Sequence, residues 1–169
     1  MNAHLIASSA HLASGRAPDL SEVEFGLMIA GHAFDRWTVR CMAAAGLPDL
    51  TATDVMVMHH VYHRQRSKKL ADICFTLNVE DTHIVNYSLK KLERLGIVAG
   101  ERSGKEVFYR VTEQGAGFIK RYAEIREQCL IDGLEAGAGA GVEFTRQLAK
   151  TLRALSGLYD QAARAATSL

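Results

Sequence analysis

The sequence contains one histidine cluster whose spacing is compatible with metal binding. His59, His60 and His63 form a His-His-x-x-His pattern, and residues four apart lie on the same face of a helix. His59 and His63 could therefore hold one metal ion together. No cysteine or carboxylate pair nearby completes a ligand set, although Asp54 or a distant residue could contribute. We predict no metal and no other cofactor, and keep a metal-responsive protein as an alternative.

A second group of polar side chains has the chemistry of a nucleic-acid contact. Residues 81–95 are predicted to form a helix with an apolar stripe at Val85, Leu89 and Leu92. The small Ser88 lies within this stripe and would allow close approach to the preceding helix. The opposite face carries histidine, asparagine, tyrosine and lysine side chains, which can donate to phosphates or to base edges in the major groove.

The distribution of charge favours the same part of the chain. The 169 residues carry a net charge of +1, yet residues 64–110 contain ten basic and six acidic side chains, whereas residues 19–63 contain two basic and six acidic ones. A local excess of positive charge favours a polyanionic partner, although a well-solvated surface would show the same pattern.

The elements that would position these residues follow from periodicity and capping residues. Helices are predicted at about 22–45, with Ser21 and Glu24 as a capping box, at 51–64, 70–77, 81–95, 113–134 and 143–166. Between them, residues 97–102 and 106–111 alternate in polarity around a Ser103-Gly104 turn, which indicates a β-hairpin. The predicted fold class is mostly α with a small β-hairpin wing, a winged helix-turn-helix flanked by N- and C-terminal dimerisation helices. The glycines between 136 and 141 predict a hinge or turn.

Three segments carry a resemblance to a known family. Residues 70–79 (LADICFTLNV) and 82–98 (THIVNYSLKKLERLGIV) resemble the two helices of a helix-turn-helix, and residues 111–115 (VTEQG) resemble the Leu-Thr-x-x-Gly that follows the wing in MarR proteins. The second segment also resembles ArsR-type regulators, but helical extensions on both sides favour the MarR family. The sequence departs from that family in its short wing, which has Ser-Gly-Lys where an Asp-x-Arg pair is usual, and in one extra residue between Leu77 and Thr82.

The resemblance implies a transcription regulator, in the expected case a repressor, that binds double-stranded DNA as a homodimer at a pseudo-palindromic operator. We expect an N-terminal arm at residues 1–18, a dimerisation helix at 19–50, the DNA-binding domain at 51–115 and C-terminal dimerisation helices at 116–169. The first residues of the recognition helix should face bases, and later ones the DNA backbone. The predicted DNA-contacting residues are His83, Ile84, Asn86, Tyr87, Lys90, Lys91, Arg94, Arg102, Lys105, Lys68 and Lys69.

Two further sites are expected on the same basis. The dimer needs apolar surface beyond that of the winged lobe, and the predicted interface residues are Phe118, Tyr122, Ile125, Leu148, Leu152 and Leu155. A single intramolecular bundle of the same helices is the alternative. The family resemblance also implies a pocket for a small-molecule effector, for which the candidates are Phe34, Trp37, Arg40, Tyr62 and His63. Aromatic residues of an ordinary core would show the same pattern.

Several classes of function are disfavoured. The sequence has no Gly-rich phosphate loop, no G-x-S-x-G and no H-E-x-x-H, so we predict that it is not an enzyme. No apolar run reaches about 18 residues, which predicts no membrane partner. Three scattered cysteines, of which Cys74 and Cys129 are predicted to be core residues, favour a reducing cytoplasm. A winged helix used for protein contact remains the other alternative, and it would show an apolar or acidic face on the fourth helix.

Overall fold

The computed structural model describes residues 17–137 and 141–169, which fall in two compact units that meet in sequence after Ile125. The elements of the first unit, in chain order, are α1 (Pro18–Ala44), α2 (Ala52–Tyr62), a 3-10 turn (His63–Gln65), β1 (Lys68–Lys69), α3 (Leu70–Leu77), α4 (Thr82–Arg94), β2 (Val98–Ser103), β3 (Glu106–Val111) and α5 (Glu113–Arg126). The second unit continues with a π-helical turn (Glu127–Ile131), α6 (Asp132–Gly137) and α7 (Val142–Ala166). The predicted fold class, mostly helical with a small antiparallel sheet, is confirmed.

The core of the first unit lies where α2, α3 and α4 pack together. The apolar stripe that the sequence predicts on α4 is confirmed, because Val85, Leu89 and Leu92 are completely buried. α2 contributes side chains to the same core at spacings that cover most of its circumference, and α3 contributes Ile73 and Cys74. α2 is therefore the central helix, and α4 can keep only one face in solvent.

The sheet has three antiparallel strands in the order β1-β3-β2. The predicted hairpin is present, with Val98 opposite Val111 and Ser103 opposite Glu106, and its turn consists of Gly104 and Lys105. Gly104 adopts a φ of 62°, a conformation that a two-residue hairpin turn requires and glycine allows. The sequence did not predict β1, whose two lysines pair with Tyr109 and Phe108.

Capping residues fix the helix ends around the helix-turn-helix. The side chain of Thr51 accepts from the backbone N–H of Asp54, and the Asp54 carboxylate accepts from the N–H of Thr51, so α2 begins with a capping box. α3 ends at Asn78, which adopts the left-handed conformation (φ 54°). The start of α2 and the end of α3 agree with the sequence prediction. The predicted capping box at Ser21 is wrong, because α1 already begins at Pro18.

The fifth helix differs from its prediction. Its regular part ends at Arg126 and a π-helical turn follows, so the predicted helix at 113–134 is interrupted. Cys129 lies in this turn and is exposed, which contradicts its assignment to the core. The predicted glycine hinge falls largely on residues 138–140, outside the described residues. Among the described helices, none is both long and apolar enough to span a membrane.

Candidate nucleic-acid interface

The exposed face of α4 carries most of the predicted DNA-contacting residues. His83, Tyr87, Lys90 and Arg94 follow one another at spacings of four, three and four, so they share a face, and all four are exposed. Tyr87 retains 66% of its accessible surface although its ring is largely apolar. This face lies opposite the buried stripe, which means that the core holds the helix while these side chains stay available to a partner.

Two further predicted residues lie next to this face. Ile84 is about half exposed, and Asn86 is half-buried. The Asp81 carboxylate accepts a hydrogen bond from the backbone N–H of His83 at 2.9 Å and caps the N-terminus of α4. The start of the helix, where base contacts are expected, is therefore well defined.

Lys91 does not lie on this face, so its assignment as a DNA contact has to be corrected. Its Nζ donates to the Asp54 carboxylate at 2.7 Å and to the backbone carbonyl of Asp49 at 2.6 Å. The Asp54 side chain is 2% exposed and that of Lys91 is 22% exposed. The ion pair joins α4 to the first turn of α2, because the side chain that follows Lys90 along the helix points back toward the core.

Asp54 has a structural role at the recognition helix that sequence reasoning did not find. Burial alone would raise the pKa of its carboxyl group, but hydrogen bonds from Lys91, Thr51 and Ser88 together outweigh burial and lower that pKa. Ser88 on α4 therefore forms a hydrogen bond to Asp54 on α2, and its small size also allows the helices to approach each other. The capping spacing Thr51-x-x-Asp54 was a signal available in the sequence, but it does not reveal the partner on α4.

The C-terminal half of α4 is also tied to the wing. The Glu93 carboxylate accepts from the backbone N–H of Gly100 at 3.1 Å. A Cβ at position 100 would lie 2.5 Å from the same carboxylate oxygen and 3.1 Å from the Val107 side chain. Glycine at this position allows the hydrogen bond, so α4 and β2 keep a fixed relation.

The wing tip presents the two predicted cations. Arg102 and Lys105 are exposed on either side of Gly104, and the Nε of Arg102 donates to the Gly104 carbonyl at 3.4 Å. Glu101 and Glu106 lie on the same short hairpin and are also exposed. The tip therefore has mixed charge with two cations at its end.

Lys68 is a correction to the predicted DNA-contacting residues, because it is buried and bonded within the chain, whereas Lys69 keeps a partly exposed side chain and stays a prediction. Lys68 is buried, and its Nζ donates to the backbone carbonyls of Val61, His63 and Arg66. Lys69 forms an ion pair with Glu106 across the sheet and lies 5.4 Å from the centre of the Phe108 ring. Because residues 68 and 69 form strand β1, both lysines lie beside β3.

The predicted effector-pocket residues lie on α1 and around the end of α2. Phe34 and Arg40 are exposed and Trp37 is half-buried on α1. Tyr62 lines a cleft of about 330 Å³ beside the base of the wing, whereas His63 lines a different cleft on the α3 side. The effector pocket therefore stays a prediction.

The histidine cluster is divided between the core and the surface. His59 is largely buried, its pKa is lowered by burial, and its ring contacts Tyr122 edge to face at a centroid distance of 4.6 Å. His63 is exposed on the 3-10 turn. Within residues 17–137 and 141–169, no three histidine, cysteine or carboxylate side chains come close enough together to hold a metal ion.

Of the three predicted dimer-interface residues on α5, one is buried in the core of the first unit, which is a further correction, and two are half-buried and stay predictions. Tyr122 is buried, and Phe118 and Ile125 pack against the same core. The physical reason is that this face of α5 covers the chain's own apolar residues. On α7, in contrast, Leu148 and Leu152 keep 45% and 41% of their surface and Leu155 is half-buried.

Comparison with known proteins agrees with this architecture. Residues 50–115 match the family model of a winged helix DNA-binding domain, whereas comparison with curated protein sequences finds no match. A mutant MarR from E. coli complexed with operator DNA has a similar structure, with 16% identity, a TM-score of 0.66, and coverage of 84% of this chain and 99% of that one.

Two other solved structures are similar to the same extent. The transcriptional repressor CouR, bound to a 23-mer DNA duplex, shares 18% identity with a TM-score of 0.66 over 85% of this chain and 99% of its own. NMB1585, a MarR family regulator from Neisseria meningitidis, shares 17% identity with a TM-score of 0.65 over 85% of this chain and 95% of its own. At these identities the likeness establishes a common fold.

Proposed function

We propose that this chain, which has the winged helix-turn-helix fold of the MarR-family regulators and a winged helix DNA-binding domain at residues 50–115, is a transcription regulator that binds duplex DNA in a sequence-specific manner. The observation that carries the proposal is the exposed face of α4, where His83, Tyr87, Lys90 and Arg94 project opposite a fully buried stripe. An interaction module for proteins would instead show an apolar or acidic face at this place.

The recognition helix offers both kinds of DNA contact. Asn86 and His83 carry groups that can hydrogen-bond to base edges, and asparagine can pair with adenine through two hydrogen bonds. Lys90 and Arg94 lie further along the helix and can neutralise phosphates. The residues near the start of α4 would therefore select the sequence, and the later cations would contribute affinity.

The wing would add a second contact on the same DNA. Arg102 and Lys105 lie at the end of a two-residue turn, a suitable size for a minor groove or the flanking phosphates. Because the hairpin is short and carries Glu101 and Glu106 nearby, we assign these two cations to phosphate contacts that orient the domain.

A homodimer is the form that we propose for the regulator. Two recognition helices on a twofold axis would read half-sites about 34–36 Å apart, which predicts a pseudo-palindromic operator. Exposed apolar side chains on α7, among them Val142, Phe144 and Leu148, are surfaces that a second copy would cover. We further propose that binding represses transcription and that a small-molecule effector releases the DNA, as the MarR-type fold suggests.

Binding to duplex DNA at several salt concentrations tests the proposal. Fluorescence anisotropy with a site selected from genomic fragments should give an affinity that falls steeply with salt, because each neutralised phosphate releases counterions. Asn86→Ala should lose preference at one base pair while random duplex is bound as before. Binding that is independent of salt, or specificity that is unchanged in Asn86→Ala and His83→Ala together, would contradict the assignment.

A further inference from the structure

A cleft between the end of α2, the loop that follows it and α3 has the chemistry of an anion site. Its volume is about 530 Å³. One acidic side chain, that of Asp72, lines it together with five basic ones, which are His60, His63, Arg64, Arg66 and Lys68. We propose that this cleft binds the phosphate group of a small phosphomonoester.

The cations of the cleft lack matching negative charge. Neither Arg64 nor Arg66 forms an ion pair in the part of the chain that the structure describes, and both are exposed. Asp72 accepts from the backbone N–H of Lys69 at the start of α3, so its carboxylate is partly engaged. A bound dianion would balance the two guanidinium groups that now face solvent.

Lys68 lines the cleft, and its ammonium group is bonded within the chain. Its Nζ donates to the carbonyls of Val61 and Arg66 at 3.0 and 3.3 Å and also to that of His63. These partners are neutral, so the buried positive charge has no carboxylate beside it. Burial and then the neighbouring charges of Arg66 and Arg64 lower the pKa of Lys68, which is the mark of a site crowded with positive charge.

The loop that carries the two arginines has an unusual backbone conformation. Arg64 and Gln65 have φ values of 60° and 47°, a left-handed conformation that side-chain-bearing residues rarely adopt. The three carbonyls bound by Lys68 hold this loop in place. Strained conformations of this kind are kept where the surrounding contacts fix them, often at binding sites.

The form of the ligand follows from the shape and lining of the cleft. Guanidinium groups bind phosphate through paired hydrogen bonds, and the two charges of a phosphate dianion match two guanidinium groups, which favours phosphate over a monovalent anion. The cleft is far larger than one phosphate group, and Phe75, whose side chain is 88% exposed, lines the same cleft. This ring offers an apolar surface to the body of an ester.

The position in the sheet separates this cleft from the wing tip. Lys68 pairs with Tyr109 and Lys69 with Phe108, while the hairpin turn follows Glu106. The chain therefore moves away from the turn as it goes back from Lys69 to the loop at residues 63–67. A ligand in the cleft would lie at the far end of the sheet from the proposed wing contact.

Histidine NMR titration of the full chain, without DNA and at constant ionic strength, tests the proposal with phenyl phosphate and inorganic phosphate as probes. The pKa of His60 is lowered by burial and then by the charges of Lys68 and His63, against the opposing effect of Asp72. A bound phosphate should raise it in a saturable manner, and phenyl phosphate should bind more tightly than inorganic phosphate. The double variant R64Q/R66Q should lose at least tenfold in affinity, whereas R153Q/R164Q, which removes the same two charges from exposed positions of α7, should bind as the wild type does.

Each remaining outcome would overturn the proposal. One is an absence of saturable change in the signals of His60 and His63. Another is that the double variant unfolds at the same temperature as the wild type and binds phenyl phosphate with equal affinity. The third is that benzoate binds as tightly as phenyl phosphate. If instead a short DNA duplex, and not phenyl phosphate, moves the histidine signals through Arg64 and Arg66, the cleft is a DNA contact. Because the probes are added without DNA, the result is independent of whether the protein regulates transcription.

Discussion

Two adjacent lysines on α4 illustrate how strongly the surroundings decide the role of a residue. Lys90 is exposed on the proposed DNA-binding face, whereas Lys91 is bonded to Asp54 and to the Asp49 carbonyl. The ion pair holds the recognition helix against the first turn of α2. Lys91 therefore acts on DNA binding only through the position of α4, while Lys90 is available to contact DNA itself.

Replacing each lysine with methionine separates these roles. Lys91→Met should lower the free energy of unfolding by about 2 kcal/mol, because a buried carboxylate loses its charged partner. Lys90→Met, the matched control on the same helix, should leave stability unchanged and weaken binding to all DNA sequences by a similar factor. Urea unfolding followed by circular dichroism and anisotropy with random duplex measure the two effects. Equal stability of the two variants would contradict the role given to Lys91.

The same ion pair predicts a dependence on pH. Because the folded-state pKa of Asp54 lies below its ordinary value of 3.8, the pair contributes fully at pH values above 3.8, and this stability is lost as pH falls through the folded-state pKa. The difference in unfolding free energy between wild type and Lys91→Met should therefore shrink on acidification. A constant difference down to the acid transition would show that Asp54 is not the partner that matters.

At the scale of elements, the start of α5 is locked to the base of the wing. The Thr112 hydroxyl donates to the Gly96 carbonyl at 2.7 Å and accepts from the backbone N–H of Gly115 at 3.1 Å. Gly115 is buried, and a Cβ there would meet the Ile97 carbonyl and lie 2.7 Å from the Val111 side chain. The Val-Thr-x-x-Gly segment thus has a structural role in joining the wing to α5.

Two glycine substitutions on α5 test this junction. Gly115→Ala should destabilise the protein by about 2 kcal/mol, since neither a backbone carbonyl nor β3 can move away freely. Gly117→Ala introduces the same methyl group on the same helix where nothing lies within 4 Å, and it should stabilise by up to about 1 kcal/mol. Thermal unfolding compares them directly. Shifts of the same sign in both variants would argue against the close contact at position 115.

At the scale of the whole molecule, α7 carries the clearest apolar surface. Phe144, Leu148, Leu152 and Leu158 are all exposed, and within Val142–Ala166 no residue is buried. Their spacing is that of a helix that packs against another helix. Exposed surface of this kind supports the proposed homodimer.

Leu152→Asp should weaken dimerisation by placing a charge in the apolar seam. Lys150→Asp puts the same side chain about 160° away around α7, where the helix is polar, and should leave assembly unchanged. Sedimentation velocity over a range of concentrations measures the monomer-dimer equilibrium. A sedimentation coefficient of Leu152→Asp that equals that of the wild type would remove α7 from the interface.

Local patterns in the sequence determined much of the helix-turn-helix. The bounds of α3 at Leu70–Leu77, its left-handed end at Asn78 and the buried stripe of α4 were predictable, because capping, helical periodicity and alternation depend on residues close together in the chain. The exposed face of α4 followed from the same periodicity.

Only the tertiary structure decided which cations are free and which are used inside the chain. Lys91 meets Asp54 across 37 positions of sequence, and Lys68 is buried because β1 pairs with β3. Tyr122 likewise belongs to the core, because its ring contacts His59 of α2 and its carbonyl accepts from the Cys41 thiol of α1. Such contacts depend on partners distant in the chain, for which composition and local spacing carry no signal.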